Sequence, residues 1–105
     1  MNITKRKPFT PGEILFEEFM QPLNLTTEQV AERIGLPIQM INEIVNNQEK
    51  ITPDIAIRLS RLFTTSVEYW LNMQLKIDLW YIINNKEKYQ KYQSIKPIKW
   101  QEAVA

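Results

Sequence analysis

Apolar residues recur at helical spacing along most of the chain, and the strict alternation of a half-buried strand is rare. Five helices are predicted and no strand. The first starts at Pro11, a residue suited to a first turn, and places Leu15, Phe16, Phe19, Met20 and Leu23 on one face. Glu17 and Glu18 lie off that face, and Pro22 closes the run. The second opens on Thr26 with Gln29 three residues on, a capping-box spacing, and turns Val30, Ala31 and Ile34 inward before Gly35 stops it. The third begins at Pro37. Ile41, Ile44 and Val45 share its inward face, while Gln39, Asn42, Glu43 and Asn46 project outward, and Asn47 suits a left-handed stop. The fourth begins at Thr52-Pro53-Asp54 and carries Ile55, Ala56, Leu59, Leu62 and Phe63, with Arg58 and Arg61 off the stripe.

The fifth helix follows Thr64-Thr65-Ser66 and is apolar on two sides. Trp70, Met73, Ile77 and Trp80 form one stripe, and Leu71, Leu75 and Leu79 form another. A surface helix needs only one apolar face. A second copy of the chain is the simplest partner, with Trp70, Met73, Ile77 and Trp80 as its expected interface; the competing reading is a C-terminal tail folded back over the helix.

Segment 25–46 carries the functional signal. Two short helices joined by a tight turn, with small Ala31 at the crossing and Gly35 four residues later, make the pattern of a helix-turn-helix, whose second helix enters the major groove. Gln39, Asn42 and Asn46 then face the bases, and Gln and Asn suit adenine N6 and N7. Ile38 is placed to meet a thymine methyl, and Thr27 to hold a phosphate at a helix N-terminus. The alternative is a helical hairpin with an ordinary polar face.

Composition narrows the classes. The chain has 105 residues and 44% hydrophobic content, enough for one core. It contains no cysteine and no histidine. Disulfides, thiolate nucleophiles and histidine proton shuttles are excluded; no cofactor, no metal site and no enzymatic activity are expected. No signal peptide or membrane span is visible, so a cytoplasmic protein with no membrane contact is expected. Net charge is only +1 but unevenly spread, with Lys5, Arg6 and Lys7 at one end and Lys86, Lys88, Lys91, Lys96 and Lys99 at the other. These clusters are solvated tails or phosphate contacts. The expected organisation is a basic arm over 1–10, a helix-turn-helix domain over 11–83 and a Lys/Tyr-rich extension over 84–105.

The run from Pro11 to Leu79 resembles the HigA-type antitoxins of the Cro/C1-like (XRE, lambda repressor-like) helix-turn-helix superfamily. The resemblance rests on Pro11-Gly12-Glu13-Ile14-Leu15 with Glu17-Glu18-Phe19, on Val30-Ala31 with Ile34-Gly35, and on Ile51-Thr52-Pro53-Asp54-Ile55-Ala56 with Arg58-Leu59. Its narrowest piece is Tyr69-Trp70-Leu71-Asn72-Met73-Gln74, followed by Asp78-Leu79. The resemblance implies an all-α domain of five helices, a homodimer, repression of its own operon through a palindromic operator, and neutralisation of a HigB-type toxin that cuts messenger RNA. By position it implies DNA contacts at Thr27, Pro37, Ile38, Gln39 and Asn42, and a dimerising fifth helix. The chain departs from the family in its charges. Segment 37–46 has no Lys or Arg and includes Glu43, and the Gly-x-Arg that members often carry next is Asn47-Gln48-Glu49 here, with Lys50 restoring part of the charge. Two further readings therefore stay open: a regulator without a toxin partner, and a protein-binding module that has lost operator binding.

Overall fold

The structure is a computed structural model and describes residues 6–100. Among the described residues there are six helices and no strand: α1 (Pro11–Ile14), continued without a break by a π-helical stretch (Leu15–Met20), then α2 (Thr27–Ile34), α3 (Ile38–Val45), α4 (Pro53–Phe63), α5 (Val67–Ile83) and α6 (Lys86–Gln93). The all-α helix-turn-helix fold expected from the sequence is the one observed. Lys5 and the rest of the expected N-terminal arm before residue 6 lie outside the described residues, as do residues 101–105.

Local chemistry sets the boundaries. Thr10, Thr26, Thr52 and Ser66 each accept a backbone N–H three residues on through the side-chain oxygen, which satisfies one orphan donor of the helix that follows. At α2 the arrangement is reciprocal, because the Gln29 side chain accepts from the Thr26 N–H at 2.9 Å. Gly35 ends α2 with φ +72° and Asn47 follows α3 with φ +61°, both left-handed as anticipated. Thr64 also adopts φ +57° at the end of α4, a conformation that a β-branched residue holds only where its surroundings impose it.

The core joins Leu15, Met20, Val30, Ile41, Ile44, Ile55, Leu59 and Trp70. Trp70 is fully enclosed. Its ring lies 5.2 Å from Phe19 and 5.3 Å from Tyr69, and its indole N–H donates to Thr65 Oγ1 at 2.8 Å, so a buried polar atom keeps a partner. Ile77 continues the same buried face about two turns further along α5. Trp70 and Ile77 therefore belong to the chain's own interior, and the interface expected from them has no surface at those two positions. Met73 and Trp80 are half-buried, Leu71 packs with Met73 against the core, and the outward side of α5 carries Leu75, 46% exposed, beside half-buried Leu79.

Two other differences have physical causes. In the π-helical stretch the Gln21 N–H bonds to the Phe16 carbonyl five residues back. That wider turn lets Leu15 and Met20 point inward together and rotates Phe16 to the surface, where Leu23 is exposed as well. The uniform 3.6-residue stripe predicted for this helix does not hold. The expected extension also contains a regular helix, α6, capped by Asn85 accepting from the Lys88 N–H. It has no buried residue, so no apolar stripe announced it.

The tightest junction is between α1 and α3. A Cβ placed on Gly12 would run into the Ile44 carbonyl oxygen and lie 2.8 Å from Asn47 Oδ1. Only glycine lets the first turn of α1 rest on the last turn of α3. Gly12→Ala is expected to lower unfolding free energy by about 1–3 kcal/mol, the usual cost of overpacking. Urea denaturation checks this, and a midpoint equal to wild type contradicts the contact.

Candidate nucleic-acid interface

The helix-turn-helix is α2, the turn Gly35–Pro37 and α3. Its angle is set by burial on one side and by the turn on the other. Val30, Ala31 and Ile34 of α2 meet Ile41 and Ile44 of α3 in the core. Gly35 and Leu36 both donate their N–H groups to the Ala31 carbonyl, at 2.9 and 3.1 Å, so the chain reverses within two residues. Pro37, extended at ψ 143°, then occupies the N-cap position of α3 without a side-chain cap.

A residue of α4 secures this turn. Arg58 Nη1 donates to the Ile34 carbonyl at 2.6 Å and to the Gly35 carbonyl at 3.3 Å, while its Nε pairs with Asp54 at 3.0 Å. A cation on the last carbonyls of α2 also complements the negative end of that helix dipole. In the sequence Arg58 stood off the apolar stripe and within a family segment, with no sign of this turn. The i,i+4 spacing of Asp54 and Arg58 was the available signal, and it indicated the ion pair but not the turn.

On α3 the outward residues fall as anticipated. Ile38, Gln39, Asn42 and Asn46 are exposed along one face, and Pro37 is exposed at its start. Two of them have partners within the helix. Gln39 Nε2 donates to Glu43 Oε1 at 3.1 Å, and Asn46 Nδ2 donates to the Asn42 carbonyl at 2.9 Å. The first bond ties Glu43 to the outward amide of Gln39. It takes one amide hydrogen of Gln39 and leaves the other hydrogen and Oε1, the donor and acceptor that a bidentate adenine contact requires. Asn46 is turned back along the helix and sits at its end. Thr27 opens α2 half-buried, at a helix end whose first N–H groups favour an anion.

The loop after α3 is tied down from α5. Gln74 Oε1 accepts from the Ile51 N–H at 2.9 Å, Gln74 Nε2 donates to Asp78 at 3.0 Å, and Asp78 pairs with Lys50 Nζ at 3.4 Å. Lys50 is exposed and close to the end of α3, but it shares its charge with Asp78. Next to it, Lys7 sits 5.2 Å above the Tyr81 ring, and the Tyr81 hydroxyl holds the Lys7 ammonium above the ordinary lysine pKa. Gln74 and Asp78 entered the sequence analysis only as parts of a family segment. Nothing in their spacing showed that they reach the loop 23 residues upstream. No group of three or more acidic, His or Cys side chains able to hold a metal occurs among the described residues.

A family profile described as Helix-turn-helix matches residues 16–70, the stretch from the π-helical segment to Trp70. The chain is 40% identical over 85 residues to the uncharacterized HTH-type transcriptional regulator YbaQ of Escherichia coli (strain K12), covering 81% of this chain and 75% of the relative. It is 33% identical over 98 residues to antitoxin HigA-1 of Vibrio cholerae serotype O1, covering 93% and 90% of the two chains. Among solved structures it is similar to Pseudomonas aeruginosa antitoxin HigA with the higBA promoter, with TM-score 0.77 and 33% identity over 88% of this chain and 99% of that one.

Arg58→Ala is expected to cost about 1–2 kcal/mol of stability, since it removes charge-assisted bonds from two carbonyls at a partly exposed site. Arg58→Lys recovers only part of this, because one ammonium cannot serve Asp54 and the turn with fixed fork geometry. Thermal melts of both variants check the order; equal melting temperatures for wild type and Arg58→Ala contradict the clamp.

Proposed function

The chain belongs to the helix-turn-helix family and groups with its HigA antitoxins, and on that premise we propose that it is the antitoxin of a type II toxin–antitoxin module. In this reading it represses its own operon by sequence-specific DNA binding and neutralises a HigB-type mRNA-cleaving toxin. One observation carries the DNA half: α3 presents Gln39 and Asn42 outward from a scaffold locked by Gly35, Arg58 and Gly12. Ile38 and Thr27 flank that face for a thymine methyl and a phosphate. The toxin half is supported by the 33% identity to antitoxin HigA-1 over nearly the whole chain. The absence of histidine and cysteine supports a binding rather than a catalytic role, and the absence of cysteine suits the cytoplasm. No helix among the described residues is long and apolar enough to cross a membrane.

The active form in this reading is a homodimer on a palindromic operator. Its seam is centred on exposed Leu75 of α5, with half-buried Leu71 and Leu79 at its margins. A domain with no cation on its reading helix holds DNA weakly alone, and two subunits on one duplex double the contacts.

Three outcomes follow. Gln39→Ala is expected to relax preference at one base pair per half-site by about 1–3 kcal/mol, with the melting temperature unchanged. Binding-site selection on wild type and variant reads this, and an identical preference at every position removes Gln39 from the reading role. Leu75→Glu is expected to yield a folded monomer in sedimentation velocity; an intact dimer moves the seam elsewhere. Co-expression with the neighbouring reading frame is expected to give a stable complex with a small basic ribonuclease. If the chain suppresses no toxicity and binds no such partner, the regulator without a toxin is the better reading.

A further inference from the structure

The body of the chain and its ends differ in charge. Residues 8–85 carry five basic and ten acidic side chains, whereas residues 86–100 carry five lysines and one glutamate. A surface with that excess of carboxylates repels a phosphate backbone, and α3 has no cation of its own to offset it. Arg33 at the end of α2 is the one cation of the helix-turn-helix, so most of the positive charge for DNA binding has to come from outside it.

The fold brings that charge to the end of α3. Lys88 of α6 lines one cleft of about 390 Å³ together with Asn47, Glu49 and Lys50 of the loop after α3 and Tyr81 of α5. Lys7 reaches the same place from the N-terminal side, stacked over Tyr81. Lys50 and Lys88 thus line one cleft past the end of α3, with Lys7 on its Tyr81 wall, and Asp78, which lines it too, pairs with Lys50 alone among the described lysines. α6 itself contributes nothing to the core, since none of its residues is buried. Its exposed Tyr89 and Tyr92 rings lie among Lys86, Lys88 and Lys91, and Lys91 Nζ stands 5.2 Å from the Tyr92 ring. A short helix that buries nothing gains little from packing, and its excess of lysines attracts a ligand of the opposite charge.

We propose that α6 is a clamp for the sugar-phosphate backbone of operator DNA, in which Lys86, Lys88 and Lys91, flanked by Lys50 and Lys7, take the phosphates beside the groove that α3 reads. The occupant is duplex DNA rather than an acidic protein, because Lys88 and Lys50 flank exposed Asn47 just past the end of α3 and offset Glu49 in the same cleft. The clamp adds affinity without base preference, since ammonium groups on phosphates carry no sequence information. It rests on the DNA-binding reading given above.

The test is a salt titration of operator binding by the full chain and by the triple variant K86Q/K88Q/K91Q, with circular dichroism to confirm equal helicity. The variant is expected to bind at least tenfold more weakly at 150 mM salt, to keep the wild-type base preference, and to lose about one from the slope of log affinity against log salt for each phosphate released. A triple variant with the wild-type affinity and slope overturns the clamp and leaves the DNA-binding reading standing. A wild-type chain that binds no duplex specifically overturns that reading and the clamp with it. An unchanged duplex affinity combined with loss of binding to an acidic protein also overturns the clamp and reassigns α6 to that protein.

Discussion

The contact between Gly12 and the last turn of α3 is the constraint on which the rest of the molecule depends. Because position 12 has no side chain, the start of α1 rests directly on the Ile44 carbonyl, and α3 cannot shift along its axis without losing that seat. Thr10 caps α1 from a buried position, and Pro11 presets its first turn. The recognition helix is then held at one end by α1 and at the other by the Gly35 turn under Arg58. Its inward residues Ile41 and Ile44 close the core, and only its polar face is left for a ligand. Function follows from rigidity here: a Gln or Asn contact with a base edge works only if the side chain starts from a defined place.

The second half of the structure serves the same helix from a distance. Trp70 binds α5 to the π-helical stretch and α4 through Phe19 and Phe63, and α5 reaches back through Gln74 and Asp78 to the loop at Ile51 and Lys50. One face of α5 is therefore spent within the subunit. This separates the two apolar stripes that the sequence left equivalent. Burial at Trp70 and Ile77 is internal, Leu71 packs on the same core, and Leu75 with half-buried Leu79 is what remains of that stripe for another chain. Charge is divided in a comparable way, with an acidic body over residues 8–85, an outward face of α3 that bears amides, and lysines concentrated in residues 86–100.

Much of this was legible in the residues because the signals are local. The capping box at Thr26 and Gln29, the stop at Gly35, the left-handed Asn47 and the Thr52-Pro53 start each depend on neighbours within four positions, and each appears where expected. The outward face of α3 followed from its period alone. What stayed hidden depends on contacts distant in sequence. Arg58 on the turn, Gln74 on the Ile51 N–H and Gly12 on Ile44 are chosen by tertiary packing, not by spacing. The π-helical stretch was invisible because one extra residue per turn alters which of Phe16, Phe19 and Met20 points inward without changing composition. Thr64 carries no sign that it takes a left-handed conformation. α6 lacks an apolar stripe, the one feature by which a helix of that length is found.

The central claim is that α3, seated by Gly12 and Arg58, is the surface that meets DNA. Its most direct test is an NMR titration of the chain with duplex DNA from upstream of its own reading frame, following backbone and side-chain amides. Saturable shifts concentrated at Thr27, along Ile38–Asn42 and at the Gln39 and Asn42 side-chain amides, with the α5 interior at Trp70 unmoved, are the predicted result. Shifts that spare α3 and gather on another face, or no saturation at physiological salt, contradict it.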